Sequence, residues 1–206
     1  MPTITAPPAL PITAPAPPSD YTVLPAPAQA WSEADLLRLG NDNQWQYELV
    51  RGELRQMSPA NSVHGNLEFR FAVALGKYLE QHPLGEGYTG DTGFQLSVEP
   101  LTIRSPDLAF IRTERLPTGS RPAFLPLAPD LVIEIVSPSE SARTIAEKVS
   151  DYLAAGTRLL WVVYPDQQHV HEYRATHAFH IYTAGDTLDG RDVLPGFQYA
   201  LAALFG

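Results

Sequence analysis

The chain contains no cysteine, which excludes disulfides, thiolate metal ligands and any cysteine nucleophile, and suits a reducing compartment. Basic residues are also scarce. Lys and Arg total 14 against 23 Asp and Glu, for a formal net charge of −9. That balance weakens the nonspecific attraction of a phosphate backbone, so charge alone does not point to nucleic acid. A nucleic-acid site would have to come from a local grouping of Arg51, Arg55, Arg70, Lys77, Arg104 and Arg143, or from the geometry of a homodimer. No stretch approaches the roughly 18 apolar residues of a membrane span, and no basic segment followed by an apolar run opens the chain. No membrane partner and a soluble, cytoplasmic protein are therefore expected. Internal repeats, a Walker loop and a serine elbow are all missing.

What is present falls into two parts. Residues 1–30 are dominated by Pro and Ala with only Asp20 charged, a composition that builds no periodic apolar face and predicts a disordered or polyproline-like arm. Residues 31–206 are expected to form one α/β domain. Within it, Ser32 caps a short helix ending at Gly40, and residues 47–50 and 53–57 flank Arg51-Gly52 as a hairpin. Asn61 or Ser62 caps a helix with the stripe His64, Leu67, Phe71, Leu75 and Tyr78. Strands follow at 92–98, around Asp107 and around Glu134, then a helix carrying Lys148 and a strand at 159–164. Residues 170–173, 179–182 and 197–204 add peripheral elements.

The chemistry concentrates in the middle. In a helix spanning 139–155, Lys148 shares the core-facing stripe with Ile145, Val149, Tyr152 and Leu153, where a cation needs a partner. The strand-like run before it carries Glu134 among aliphatics. An earlier run places Asp107 on the same strand face as Ala109 and Ile111, so adjacent strands can bring the two carboxylates together to bind a divalent metal or share a proton. The plain alternatives are a turn-capping role for Asp107, a structural partner for Glu134 and a Lys148 stem that exposes its ammonium. Glu48, opposite Arg55 in the hairpin, would ordinarily form a cross-strand ion pair, and His64 would be a hydrogen-bonded core histidine.

The sequence resembles the Uma-two group of restriction-endonuclease-like proteins, within the PD-(D/E)XK nuclease superfamily. The resemblance runs from about Trp31 to Arg174. It is carried by Tyr47-Glu48-Leu49-Val50-Arg51-Gly52-Glu53-Leu54, Met57-Ser58-Pro59, His64, Ser105-Pro106-Asp107, the run from Pro129 to Pro138, the run from Lys148 to Gly156, and Trp161-Val162-Val163. It implies a restriction-endonuclease-like core of helix, three strands, helix and strand. It also implies metal-dependent hydrolysis of DNA, with Asp107 and Glu134 ligating magnesium or manganese and the Ile135 carbonyl as a further ligand. The superfamily's lysine position holds Val136 here, so the role passes to Lys148, with Glu48 and His64 completing the catalytic set. An inactive module that binds nucleic acid or protein is the alternative, favoured by Val136 and by the acidic balance.

Other matches carry less. The G-x-G-x-x-G of residues 85–90 follows a helix and leads into a strand, the reverse of a dinucleotide site. Asp91-Thr92-Gly93 lacks the apolar strand that would bury an aspartic-protease pair. His169 and His171 share a strand face but have no third ligand.

Overall fold

The computed structural model describes residues 21–27, 30–40, 45–57, 60–174 and 179–206. In chain order the elements are β1 (Tyr21–Val23), α1 (Glu33–Gly40), β2 (Gln46–Val50), β3 (Glu53–Met57), α2 (Ser62–Gln81), β4 (Gly85–Thr89), β5 (Phe94–Val98), β6 (Leu101–Arg104) and β7 (Leu108–Arg112). Then come β8 (Leu131–Ile135), α3 (Ala142–Ala154), β9 (Leu159–Tyr164), β10 (His169–Arg174), β11 (Phe179–Tyr182), β12 (Thr187–Asp189), β13 (Gln198–Ala200) and α4 (Leu201–Phe205).

The main sheet has the order β11-β10-β9-β8-β7-β4, and a second sheet runs β1-β3-β2-β6-β5. All pairings in the main sheet are antiparallel except β8 with β9, which α3 joins as a crossover. That crossover explains the unbroken apolar runs of β8 and β9. Leu131, Ile133 and Ile135 pack with Leu67, Phe71 and Leu75 of α2, with Trp161 and with Phe197 and Leu201 near the C-terminus. Val132, Leu160 and Val162, on the other face, pack against Ile145 and Tyr152 of α3. Strands buried on both faces lose the usual polar alternation. Glu134, on the α3 face, is the conspicuous exception.

Local signals account for the ends of the elements. Ser32 and Asp35 cap α1 reciprocally, with Asp35 N–H on Ser32 Oγ at 3.3 Å and Ser32 N–H on Asp35 Oδ2 at 3.1 Å. Asn61 accepts the His64 N–H at 3.0 Å to start α2. The β2–β3 turn takes φ of 51° at Arg51 and 80° at Gly52, the left-handed pair that suits a two-residue hairpin.

Two expectations need correction. The first strand of the core sheet is β4, in the glycine-rich stretch, whereas Phe94–Val98 belongs to the second sheet and pairs with β6. A Cβ on Gly85 would lie 2.0 Å from the Ile111 carbonyl oxygen, so the glycine that lowers strand propensity is what lets the edge strand approach. The glycine motif is thus part of a strand and opens no helix. The arm, expected to lack structure through residue 30, contains β1, which pairs with β3. Residues 1–20 of the arm lie outside the described residues.

A chain beginning at Gln29 would lose β1, the Leu24 N–H to Leu54 carbonyl bond at 2.9 Å and the Tyr21 ring 4.2 Å from the Arg55 guanidinium. It should be less stable than one beginning at Tyr21 by about 1–3 kcal/mol. Thermal unfolding should show this as a melting point several degrees lower, and equal melting points would mean that β1 adds nothing.

Candidate active site

Asp107 enters from the short link between β6 and β7, where the chain passes from one sheet to the other. β7 and β8 pair Leu108 with Ile133, so one further step sets Asp107 opposite Glu134 on the same face. Asp107 Oδ2 accepts the Ile135 N–H at 2.6 Å, and Oδ1 meets His64 Nε2 at 2.8 Å. Glu134 is 3% exposed. Its Oε2 accepts from Lys148 Nζ at 2.8 Å and its Oε1 from the Tyr152 hydroxyl at 2.9 Å. The expected helix brings Lys148 there: Ser141 caps α3 by accepting the Thr144 N–H, and the phase it sets turns Ile145, Lys148 and Tyr152 inward. Lys148 Nζ also reaches Glu140 Oε1 at 2.9 Å, and Glu140 Oε2 accepts the Ser137 N–H at 2.9 Å.

The electrostatics record crowded negative charge. Burial, with Asp107, Glu48 and Glu140 nearby, outweighs Lys148 and pushes Glu134 up to about 7. Burial also raises Glu68, with Asp107 adding to the effect. Lys148 moves the other way. Burial favours its neutral form, but Glu134, Glu140, Glu48 and Asp107 hold it charged, well above the usual lysine range. Burial likewise opposes charge on His64, yet its bond to Asp107 and the neighbouring acids raise it.

A second buried network adjoins the first. Glu48 lies opposite Arg55 in the hairpin register, but its carboxylate turns to Arg104 Nη1 at 2.7 Å and the Ser105 N–H at 3.1 Å. Arg104 Nη2 donates to Asp151 Oδ2 at 2.6 Å, and Arg51 reaches Asp151 Oδ1 at 2.5 Å. Arg55 is drawn to Glu147 of α3 at 2.8 Å. Glu48 therefore anchors the link that carries Asp107. Sequence reasoning missed Tyr152, Glu140 and Asp151 as partners. Periodicity makes Tyr152 part of an apolar stripe, and its hydroxyl gives no sign in that pattern.

Most of the basic residues grouped on the sequence are committed to partners within the fold, while Lys77 on α2 is exposed. Arg51, Arg55 and Arg104 are neutralised as above, and Arg70 donates to the Ala203, Leu204 and Gly206 carbonyls. Arg143, in the first turn of α3, is largely exposed and lies 3.5 Å from Glu147. His171 packs its ring against Tyr164 at 4.3 Å.

Among the described residues, no three His, Asp or Glu side chains are grouped closely enough to hold a metal ion. The donor chemistry of the two carboxylates still fits a magnesium-type ion, which takes one or two carboxylates and fills its shell with water and phosphate oxygens. Each oxygen of Asp107 and Glu134 carries one donor and retains a second lone pair. A cavity of about 50 Å³ opens at Asp107, His64, Glu140 and Lys148.

A mixed sheet with a helix on each face, and two acids and a lysine meeting at one end of its central strands, defines a restriction-endonuclease-like protein. The same fold is found in the crystal structure of a putative nuclease of the DUF820 group from Anabaena variabilis. That match has 18% identity and a TM-score of 0.70, and covers 77% of this chain and 89% of the other. The model of the Uma2 family, described as "Putative restriction endonuclease", matches residues 33–203, and the chain belongs to that family. No curated protein matches the chain significantly. Among the described residues, no helix is long and apolar enough to cross a membrane.

Two outcomes follow from these networks. Glu48→Ala leaves the buried Arg104 Nη1 without its acceptor, with Asp151 as the remaining carboxylate, and should cost about 1–3 kcal/mol in chemical denaturation. Glu48→Leu combined with Arg104→Met should recover much of that loss, and two independent, additive losses would argue against the pairing. The second outcome concerns pH. Because the Glu134 pKa is raised from 4.5 to about 7, its contribution to stability is most favourable below 4.5 and fades as pH rises through 7. In chelator, Glu134→Gln should therefore gain in melting temperature relative to wild type between pH 5 and pH 8, whereas a constant difference would contradict the shift.

Proposed function

We propose that the protein is a metal-dependent endonuclease that hydrolyses DNA phosphodiester bonds at the Asp107–Glu134 site. The observation that carries this reading is Lys148. Although Val136 occupies the position where the superfamily places its lysine, α3 delivers an ammonium 2.8 Å from the Glu134 carboxylate, beside Asp107. Two acids and a lysine thus come from the link before β7, from β8 and from α3.

Asp107 and Glu134 would hold magnesium or manganese, with the Ile135 carbonyl as a further oxygen ligand. Such an ion supplies Lewis acidity and an acidified water. The chain's own groups do the rest. Lys148, held charged by four acids, orients the attacking water and offsets negative charge growing on the phosphate oxygens. His64 binds Asp107 through Nε2 at 2.8 Å and so fixes the orientation of that carboxylate. Glu48 acts at one remove, fixing Ser105 and Arg104 and hence the approach of Asp107.

The reading as an inactive binding module draws support from the neutralised arginines and the net charge of −9. Manganese-dependent cleavage of supercoiled and single-stranded DNA separates the two. Manganese should raise the melting temperature of wild type and not that of Glu134→Ala. Lys148→Met should cleave about 10²-fold more slowly or worse when assayed well below its melting point, while keeping the manganese shift. Unchanged cleavage by Lys148→Met would remove the lysine from the mechanism. If wild type cleaves no nucleic acid, the binding module becomes the better reading.

A further inference from the structure

A cleft of about 600 Å³ lies beside the carboxylate site and shares His64, Ser137 and Glu140 with it. Its volume falls in the range of small-molecule pockets. The far wall is the part of the main sheet that α3 leaves bare. Strand alternation puts His171 and Tyr173 of β10 opposite Val162 and Leu160, on the face that packs against α3 further in. Phe179 of β11 lies opposite Tyr173. The rings form a continuous surface: Tyr164 and His171 are 4.3 Å apart, His171 and Phe179 5.4 Å, and Tyr173 and Phe179 5.0 Å. Phe179 is 52% exposed.

The charges of the cleft narrow what can fill it. Among the described residues that line it there is no Lys or Arg, and its ionisable groups are Glu140, Asp166, His64, His171, Tyr164 and Tyr173. A phosphate would find no cation there. A flat neutral ring bearing amino N–H donors would find aromatic faces to stack on, with Asp166 and Gln167 as acceptors at the rim. His64 lines both cavities and so forms part of the wall between them.

We propose that this cleft holds an unstacked nucleobase adjoining the phosphate at the Asp107–Glu134 site, so that the substrate is single-stranded or locally opened nucleic acid. The inference rests on the hydrolytic reading of that site. Bases inside a duplex present only their edges, so a cleft walled by rings can take a base only after it leaves the stack. The phosphate stays at the acid end and the base lies against the rings, joined through the His64 wall that the two cavities share.

Short single-stranded DNA containing 2-aminopurine, mixed with the full chain in chelator, tests this without cleavage. The fluorescence should be quenched on binding. Phe179→Ala, at a half-exposed position that leaves the fold intact, should weaken binding about tenfold, and the matching duplex should bind more weakly than the single strand. In the manganese assay, Phe179→Ala should raise KM for single-stranded DNA more than it lowers kcat. Binding of the single strand that ignores Phe179, or a preference for duplex, would overturn the proposal even if wild type cleaves DNA. Quenching that depends on Phe179 in a protein that cleaves nothing would uphold the stacking cleft and remove only the hydrolytic reading. A concentration-dependent dimer that Phe179→Ala dissolves would overturn the proposal by assigning this face to a second copy of the chain.

Discussion

The ion pair between Glu134 of β8 and Lys148 of α3 is the constraint on which the rest of the arrangement depends. Both residues are buried, and taking two charges out of water costs several kcal/mol per ion before their attraction is counted. Apolar residues of similar volume would often serve stability as well or better, so a pair kept in the interior of this sheet is weak evidence for stability and better evidence for chemistry. Its surroundings supply what such a pair needs: Tyr152 donates to the second oxygen of Glu134, and Glu140 takes a further donor of the ammonium. The same helix face extends the pattern. Glu147 holds Arg55 of β3, and Asp151 holds Arg104 of β6 and Arg51 of the hairpin turn. α3 is thus fastened by its charges to the second sheet and by its apolar residues to the first. Asp107 sits in the link between those sheets.

Much of this was legible because it rested on periodicity. A period near 3.6 put Lys148 on the stripe of Ile145 and Tyr152, and strand alternation put Asp107 and Glu134 on a shared face. Local chemistry pointed to the Ser32 cap, to Asn61 or Ser62 as the cap of α2, and to the Arg51-Gly52 turn. What escaped depended on competition between distant groups. The cross-strand rule sends Glu48 to Arg55, and the register does place them opposite, but Glu147 and the Tyr21 ring take Arg55 while Arg104 takes Glu48. β4 was hidden by its glycines, and β1 by a Pro/Ala context in which only the waiting edge of β3 makes a strand worthwhile.

The charge distribution follows the same logic. With the arginines near the site committed to internal acids, a polyanion is not drawn to the protein by a broad field. On the proposed reading, recognition would rest on short-range features: an acid-rich end suited to a cation, and a neighbouring ring-lined wall suited to a flat neutral group. A substrate bound this way is selected by shape and stacking more than by long-range attraction.

If Lys148 fills the lysine role, as proposed, its place on a helix instead of a strand changes how the site is assembled. Val136, in the strand position, packs with the α3-facing cluster, and its N–H donates to the Val163 carbonyl at 2.9 Å, so the vacated position helps seal the helix against the sheet. A lysine carried by β8 would be set beside Glu134 as soon as the strand formed. A lysine carried by α3 reaches it only once the helix has docked, and that docking requires the apolar contacts of Ile145 and Tyr152 and the charged contacts of Glu147 and Asp151 together. The acid pair and the ammonium therefore come together only as the two sheets and α3 close on one another, which would tie competence of the proposed site to completion of the fold.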